Sequence, residues 1–186
     1  MLATWKKNLG EIPISNPQEY KAKKAFTYVL SWVHENGYKG ACHDISAVLY
    51  LVLSELGYDC EIKIGEIQLE TGAVTDHSWV QSNQLVTDIA ISLPNYPGHI
   101  HSPIFQGVAL DNNSEITCKY GIAYEGLSQE GKFVLGATLI EYCNDHPNGV
   151  DFVFKLASRT LKEAGVRVSA LKLKNDYSHI KRVLVQ

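Results

Sequence analysis

No charge of either sign dominates this chain: 17 Lys and Arg stand against 20 Asp and Glu, a formal net charge of −3 at pH 7. A nucleic-acid-binding surface carries a Lys/Arg excess, so no nucleic-acid partner is expected. The four cysteines, Cys42, Cys60, Cys118 and Cys143, include no CxxC pair, which argues against a zinc cluster. Four are also few for a disulfide framework in a chain this rich in core residues. No apolar run reaches about 18 residues, so no membrane span is expected. Met1 to Gly10 holds Trp5, Lys6 and Lys7 without an apolar central run; no secretory signal is expected, and the expected location is cytoplasmic. Repeats, low-complexity tracts and an acidic loop of the calcium-binding kind are missing too.

What is present is ordinary globular usage over 186 residues, 45% apolar and 20% charged. That suits one compact domain with a real core. Asn16-Pro17-Gln18-Glu19 reads as a capped helix start, followed by an apolar stripe at Ala22, Ala25, Phe26, Val29, Leu30 and Val33 and a stop at Gly37. Ile45, Val48, Leu49, Val52, Leu53 and Leu56 then repeat at helical spacing up to Gly57. Cys42 falls in the first turn of that helix.

The period next changes to two. Cys60, Ile62 and Ile64, then Ile67 and Leu69, alternate with polar residues, slipping a step at Gly65 as at a bulge. Strands are expected over 77–81 and 85–91, joined around Ser82-Asn83-Gln84 as an antiparallel meander. Beyond a loop at 94–98, the spacing predicts a short strand over 115–120, helices over 131–143 and 150–164, a strand over 166–174 and a short helix from Ser178. Helices segregate from strands, which predicts an α+β fold. Its core is expected over about 16–93, with an α-rich extension over 94–186.

A cysteine at a helix start, a histidine on a strand and an aspartate on the next strand are the parts of a thiol-activating triad. The thiolate is the nucleophile, and a helix N-terminus favours negative charge. The thiol needs a base, and the base an orienting group. Cys42, His77 and Asp88 can fill these roles. A hairpin loop of two or four residues puts positions 77 and 88 on one face of the sheet. A loop of three without a bulge puts them on opposite faces. His43 is a poorer base, because helix neighbours do not face each other; it is expected toward solvent or in the cap region. Asp44 reads as an acid favouring the helix start. Trp79 shares a face with His77 and is a candidate wall of the site, although a core tryptophan is the plainer reading. His99 and His101 have a metal-ligand spacing but no third ligand.

The pattern Gly40-x-Cys42-x-Asp44, His77-x-Trp79-Val80 and Asp88 resembles the core of the transglutaminase-like superfamily of papain-fold Cys-His-Asp enzymes, over about residues 37–91. The resemblance implies a papain-like core in which the cysteine begins a core helix packed on an antiparallel β-sheet that carries the histidine and aspartate. It implies Cys42 as nucleophile, His77 as base and Asp88 as orienter, with Asn36 or Tyr38 as a further oxyanion donor. One departure is that Ile89-Ala90-Ile91 follow Asp88 where the family often has proline. Members include transferases, proteases, deamidases and inactive binding modules. The expectation is therefore a cysteine-dependent hydrolase or acyltransferase (protease, glutamine deamidase or transglutaminase) acting on an amide of a protein or peptide, without cofactor or metal. The alternatives are a non-enzymatic interaction module on the same fold and a metal-dependent hydrolase using His99 and His101.

Overall fold

The computed structural model describes residues 1–96 and 99–186. Pro97 and Gly98, in the loop expected over 94–98, lie outside the described residues. The protein is a mixed α+β fold. Helix α1 (Leu2–Glu11) leads into α2 (Pro17–Glu35), whose cap is the expected one: Asn16 Oδ1 accepts from the Glu19 N–H at 2.9 Å. Helix α3 (Cys42–Glu55) begins at Cys42 itself. It is buried all round from Asp44 to Leu53, because α2, α6 (Phe152–Glu163) and the sheet enclose it. At roughly 1.5–3 kcal/mol per large apolar side chain, that burial fixes the position of its first turn.

The sheet is built on β1 (Glu61–Gln68) and β2 (Val74–Ser82), an antiparallel pair, with β3 (Leu85–Thr87) beyond β2. The other edge of β1 is shared. β7 (Lys119–Ile122) pairs antiparallel with its far end, and β8 (Val183–Val185) pairs parallel with Lys63–Gly65. Ile62 and Val80 face the main core, made with α1, α2, α3 and α6. Trp79, Ile67, Leu69 and Val86 form a second cluster with Ile91, Ile104 and Cys118. Among the described residues no helix is long and apolar enough to cross a membrane.

Several elements differ from expectation. The strand expected over 85–91 stops at Thr87; Asp88 bridges to Ile104 in β4 (Ile104–Phe105), and Ala90–Ser92 form a 3₁₀ turn. A three-stranded sheet of β4, β5 (Val108–Ala109) and β6 (Ser114–Glu115) occupies the middle of the chain. The helix expected over 131–143 is divided into α4 (Gln129–Gly136) and α5 (Leu139–Cys143), because Thr138 and Glu141 make a capping box that starts a new helix. The strand expected over 166–174 is instead helix α7 (Ala170–Tyr177), capped by Ser169, and the tail expected as a helix is strand β8. The irregularity expected at Gly65 lies between Glu66 and Ile67. Gly65 has another use: a Cβ there would run into the Val185 carbonyl oxygen, so its bareness admits β8. The stretch beyond 94 is therefore woven into the sheet through β7 and β8.

The β2–β3 turn supplies the register on which the site depends. Ser82 pairs with Leu85, leaving a two-residue loop of Asn83 and Gln84 with φ of 49° and 66°. Such loops favour glycine at the second position. Gln84→Gly should therefore raise stability by about 0.5–1 kcal/mol, read as a higher thermal midpoint. A lower midpoint would argue against this turn.

Candidate catalytic site

Gly40 has a φ of 62° and the Asn95 side chain lies where its Cβ would be. Only glycine meets both demands, and it delivers the chain into α3. The N-cap residue, Ala41, has no side-chain oxygen, so no side chain caps the first turn. Its free N–H groups stay available beside the Cys42 thiol.

The two-residue turn puts His77 and Asp88 on one face of the sheet, and they touch. His77 Nε2 donates to Asp88 Oδ2 at 2.6 Å. The same oxygen accepts from the Tyr120 hydroxyl at 2.7 Å, and Oδ1 accepts from the Ile91 N–H at 3.3 Å. Asp88 is 2% exposed and is held on its backbone by Ile104. A carboxylate only accepts, so Nε2 carries a proton and Nδ1 remains for another partner. Burial works to lower the His77 pKa, but the adjoining Asp88, and then Cys42, raise it to about 10. Burial works to raise the Cys42 thiol, but His43 and His77, through charge and hydrogen bonding, lower it to about 5. Both shifts run toward a thiolate beside an imidazolium.

His43 is in the first turn of α3, the cap region that is one of its two expected places, and is not directed to solvent. It reaches β2, where its Nδ1 lies 2.8 Å from the buried Ser78 Oγ. Asp44 does more than favour the helix start. It is 7% exposed and accepts from Tyr38 Oη at 2.6 Å, Tyr142 Oη at 2.6 Å and His146 Nε2 at 3.1 Å. Arg182, just before β8, is also buried; it donates to the His43 carbonyl at 3.0 Å and its guanidinium sits 4.6 Å from the Tyr142 ring centroid.

The three other candidates are engaged elsewhere. The Asn36 amide donates to the Trp32 carbonyl at 2.8 Å, serving the end of α2. Tyr38 gives its hydroxyl proton to Asp44. Trp79, 1% exposed, packs on Tyr120 in the second core cluster and lines neither cleft at Cys42. Asn36 and Tyr38 thus have partners close in sequence and Trp79 a distant one, none of which spacing revealed. Asn95 borders both clefts beside Cys42, and nothing in its sequence context marks it. His101 is engaged by Ser102 and Thr117, while His99 lines the smaller cleft. Among the described residues, no three or more His, Cys, Asp and Glu side chains gather as a metal would require.

Cys42 lies between two clefts. One, of about 110 Å³, also holds His77 and is mainly apolar, with Ile67, Leu69, Ala90, Ile91 and Pro94. The other, of about 490 Å³, also holds His43 and is polar, with Glu66, Asp76, Glu125 and Glu130. Tyr96 and Tyr124, 70% and 67% exposed, line the polar cleft.

The chain is thus a mixed α+β protein whose first sheet-packed helix turn brings a thiol to a buried histidine–carboxylate pair. No family model matches it, and neither does any curated protein or solved structure.

Proposed function

We propose that the protein is a cysteine-dependent acyl-transfer enzyme acting on an amide bond of a protein or peptide, with Cys42 as nucleophile, His77 as base and acid, and Asp88 as orienter. The observation that carries this reading is the 2.6 Å His77–Asp88 hydrogen bond in a pair whose imidazole lines the same cleft as the Cys42 thiol, which opens into a second cleft as well. The likeness to the transglutaminase-like core supports it as an analogy: a thiol at a helix start, with imidazole and carboxylate on neighbouring strands.

In the proposed reaction the Cys42 thiolate attacks the amide carbonyl and a C–S bond forms. The oxyanion takes hydrogen bonds from the uncapped N–H groups of α3. His77 gives its proton to the leaving nitrogen as the C–N bond breaks, leaving a thioester. Water or an amine then attacks the thioester carbonyl, His77 takes the proton, and the thiolate departs. The apolar cleft suits an apolar substrate side chain, and the exposed tyrosines suit an extended peptide.

Acyl trapping tests this. On brief treatment with p-nitrophenyl acetate, intact-mass and peptide mapping should place one acetyl group on Cys42. His77→Ala should slow its formation by about 10²-fold or more, the usual size of a base contribution. Acetylation spread over several cysteines, or equally fast in the variant, would overturn the proposal.

A further inference from the structure

The sequence reading left His43 without a task, and the acyl-transfer scheme above does not use it. Its surroundings are specific. Adjacent residues of a strand point to opposite faces, and β2 uses this to serve two imidazoles. His77 itself faces the Asp88 side. Ser78 faces α3, where its hydroxyl meets His43 Nδ1 at 2.8 Å. Ser78 is 1% exposed, and its hydroxyl has no other partner among the described residues. A buried hydroxyl donates where an acceptor is in reach, and here that acceptor is Nδ1. The ring proton of a neutral His43 is then on Nε2, and a protonated ring carries one there as well. The ring is fixed further by the edge of Tyr142 at 6.3 Å, and its backbone by Arg182 on the His43 carbonyl. Cys42 and His43 line the same polar cleft.

We propose that His43, oriented by Ser78, is a second imidazole that donates a hydrogen bond to the Cys42 sulfur and holds it as the thiolate, so that the nucleophile is activated from two sides. The His43–Ser78 pair would parallel His77–Asp88, with a difference of task. Asp88 makes His77 basic enough to carry the proton that moves. Ser78 supplies no charge, and His43 keeps its proton and serves as a fixed donor. This assignment rests on the acyl-transfer reading of Cys42. It agrees with the effect of His43 on the thiol, the largest of those that lower its pKa. The ionisable groups around the sulfur are His43 on its own helix, His77 on β2, Tyr142 on α5 and Arg182 before β8; Glu66, Asp76, Glu125, Glu130, Tyr96 and Tyr124 line the polar cleft with it.

The test is the pH dependence of Cys42 alkylation by iodoacetamide, followed on the Cys42 peptide by mass spectrometry, in wild type, His43→Ala, His43→Gln, Ser78→Ala and His77→Ala. His43→Ala should move the midpoint upward by about one pH unit or more, roughly a tenfold loss of rate below the midpoint. His43→Gln keeps an N–H donor and should recover much of that loss. Ser78→Ala should shift the midpoint the same way by less, because the ring loses its holder. If His77→Ala shifts the profile while the His43 and Ser78 variants leave it in place, the second imidazole is refuted and the His77 reading stands. If none of them shifts it, the acyl-transfer reading itself fails. A glutamine variant as impaired as alanine would refute the donor role. Circular dichroism monitors folding. Should His43→Ala not fold, Ser78→Ala decides the matter by whether its midpoint moves.

Discussion

At pH 6, His77→Ala should lower the rate of Cys42 alkylation by iodoacetamide about tenfold, from loss of thiolate. The sign follows from what acts on the sulfur. Burial opposes ionisation, and the two histidines overcome it, bringing the thiol from an ordinary value of 9.0 to about 5. The wild-type rate should therefore rise through about pH 5 and stay level above it. Without His77 the burial penalty is opposed by His43 alone, and the midpoint moves up. Asp88→Asn should act in the same direction, because Asp88 is the main group raising the His77 pKa. The other thiols serve as internal controls. Burial raises Cys60, and it raises Cys143 to about 11 and Cys118 to about 12, so all three should stay silent at pH 6. Equal labelling of the four cysteines, or a His77→Ala profile matching wild type, would remove the basis for a catalytic thiol.

Asp44→Ala should cost about 1–3 kcal/mol of folding stability, the usual penalty for leaving hydrogen-bond donors in a protein interior without their acceptor. Asp44 accepts two tyrosine hydroxyls and an imidazole N–H. They come from the segment before α3, from α5 and from the loop that follows α5. Alanine would take the shared acceptor from all three part-buried donors. Asp44→Asn keeps one carbonyl oxygen and should cost less. Urea denaturation at neutral pH measures both. A loss below about 1 kcal/mol in the alanine variant would mean that the network is not formed. The same variant should disturb Cys42, since Asp44 ties the first turn of α3 to three separate segments.

The local rules of the chain were legible wherever neighbours in sequence decide the outcome. Asn16, Pro17 and Glu19 announced α2, and the Ile45 to Leu56 stripe announced α3. The parity rule for positions 77 and 88 was legible, but the loop length that decides it, the two residues Asn83 and Gln84, came from the structure. The errors fall where partners are distant. Val166 and Val168 alternate as in a strand, but the Ser169 cap and the helix-forming Ala170-Leu171-Lys172-Leu173 outweigh them. Nothing local could announce β8, because Val183–Val185 become a strand only by pairing in parallel with β1, more than a hundred residues earlier. Asn36, Tyr38 and Trp79 stood at suitable spacings, yet each had a nearer partner.

The sequence by itself determined a thiol at the first turn of an apolar helix, followed by a histidine and an aspartate on extended segments, because helix and strand periodicity are properties of the local backbone. The tertiary structure alone decided what surrounds them: Tyr120 on Asp88, Tyr142 and His146 on Asp44, Ser78 on His43, and the two clefts that meet at Cys42. Those contacts join segments far apart in the chain. Burial of apolar surface brings the segments together without regard to sequence distance, and it alone sets how far each thiol, imidazole and carboxylate is removed from water.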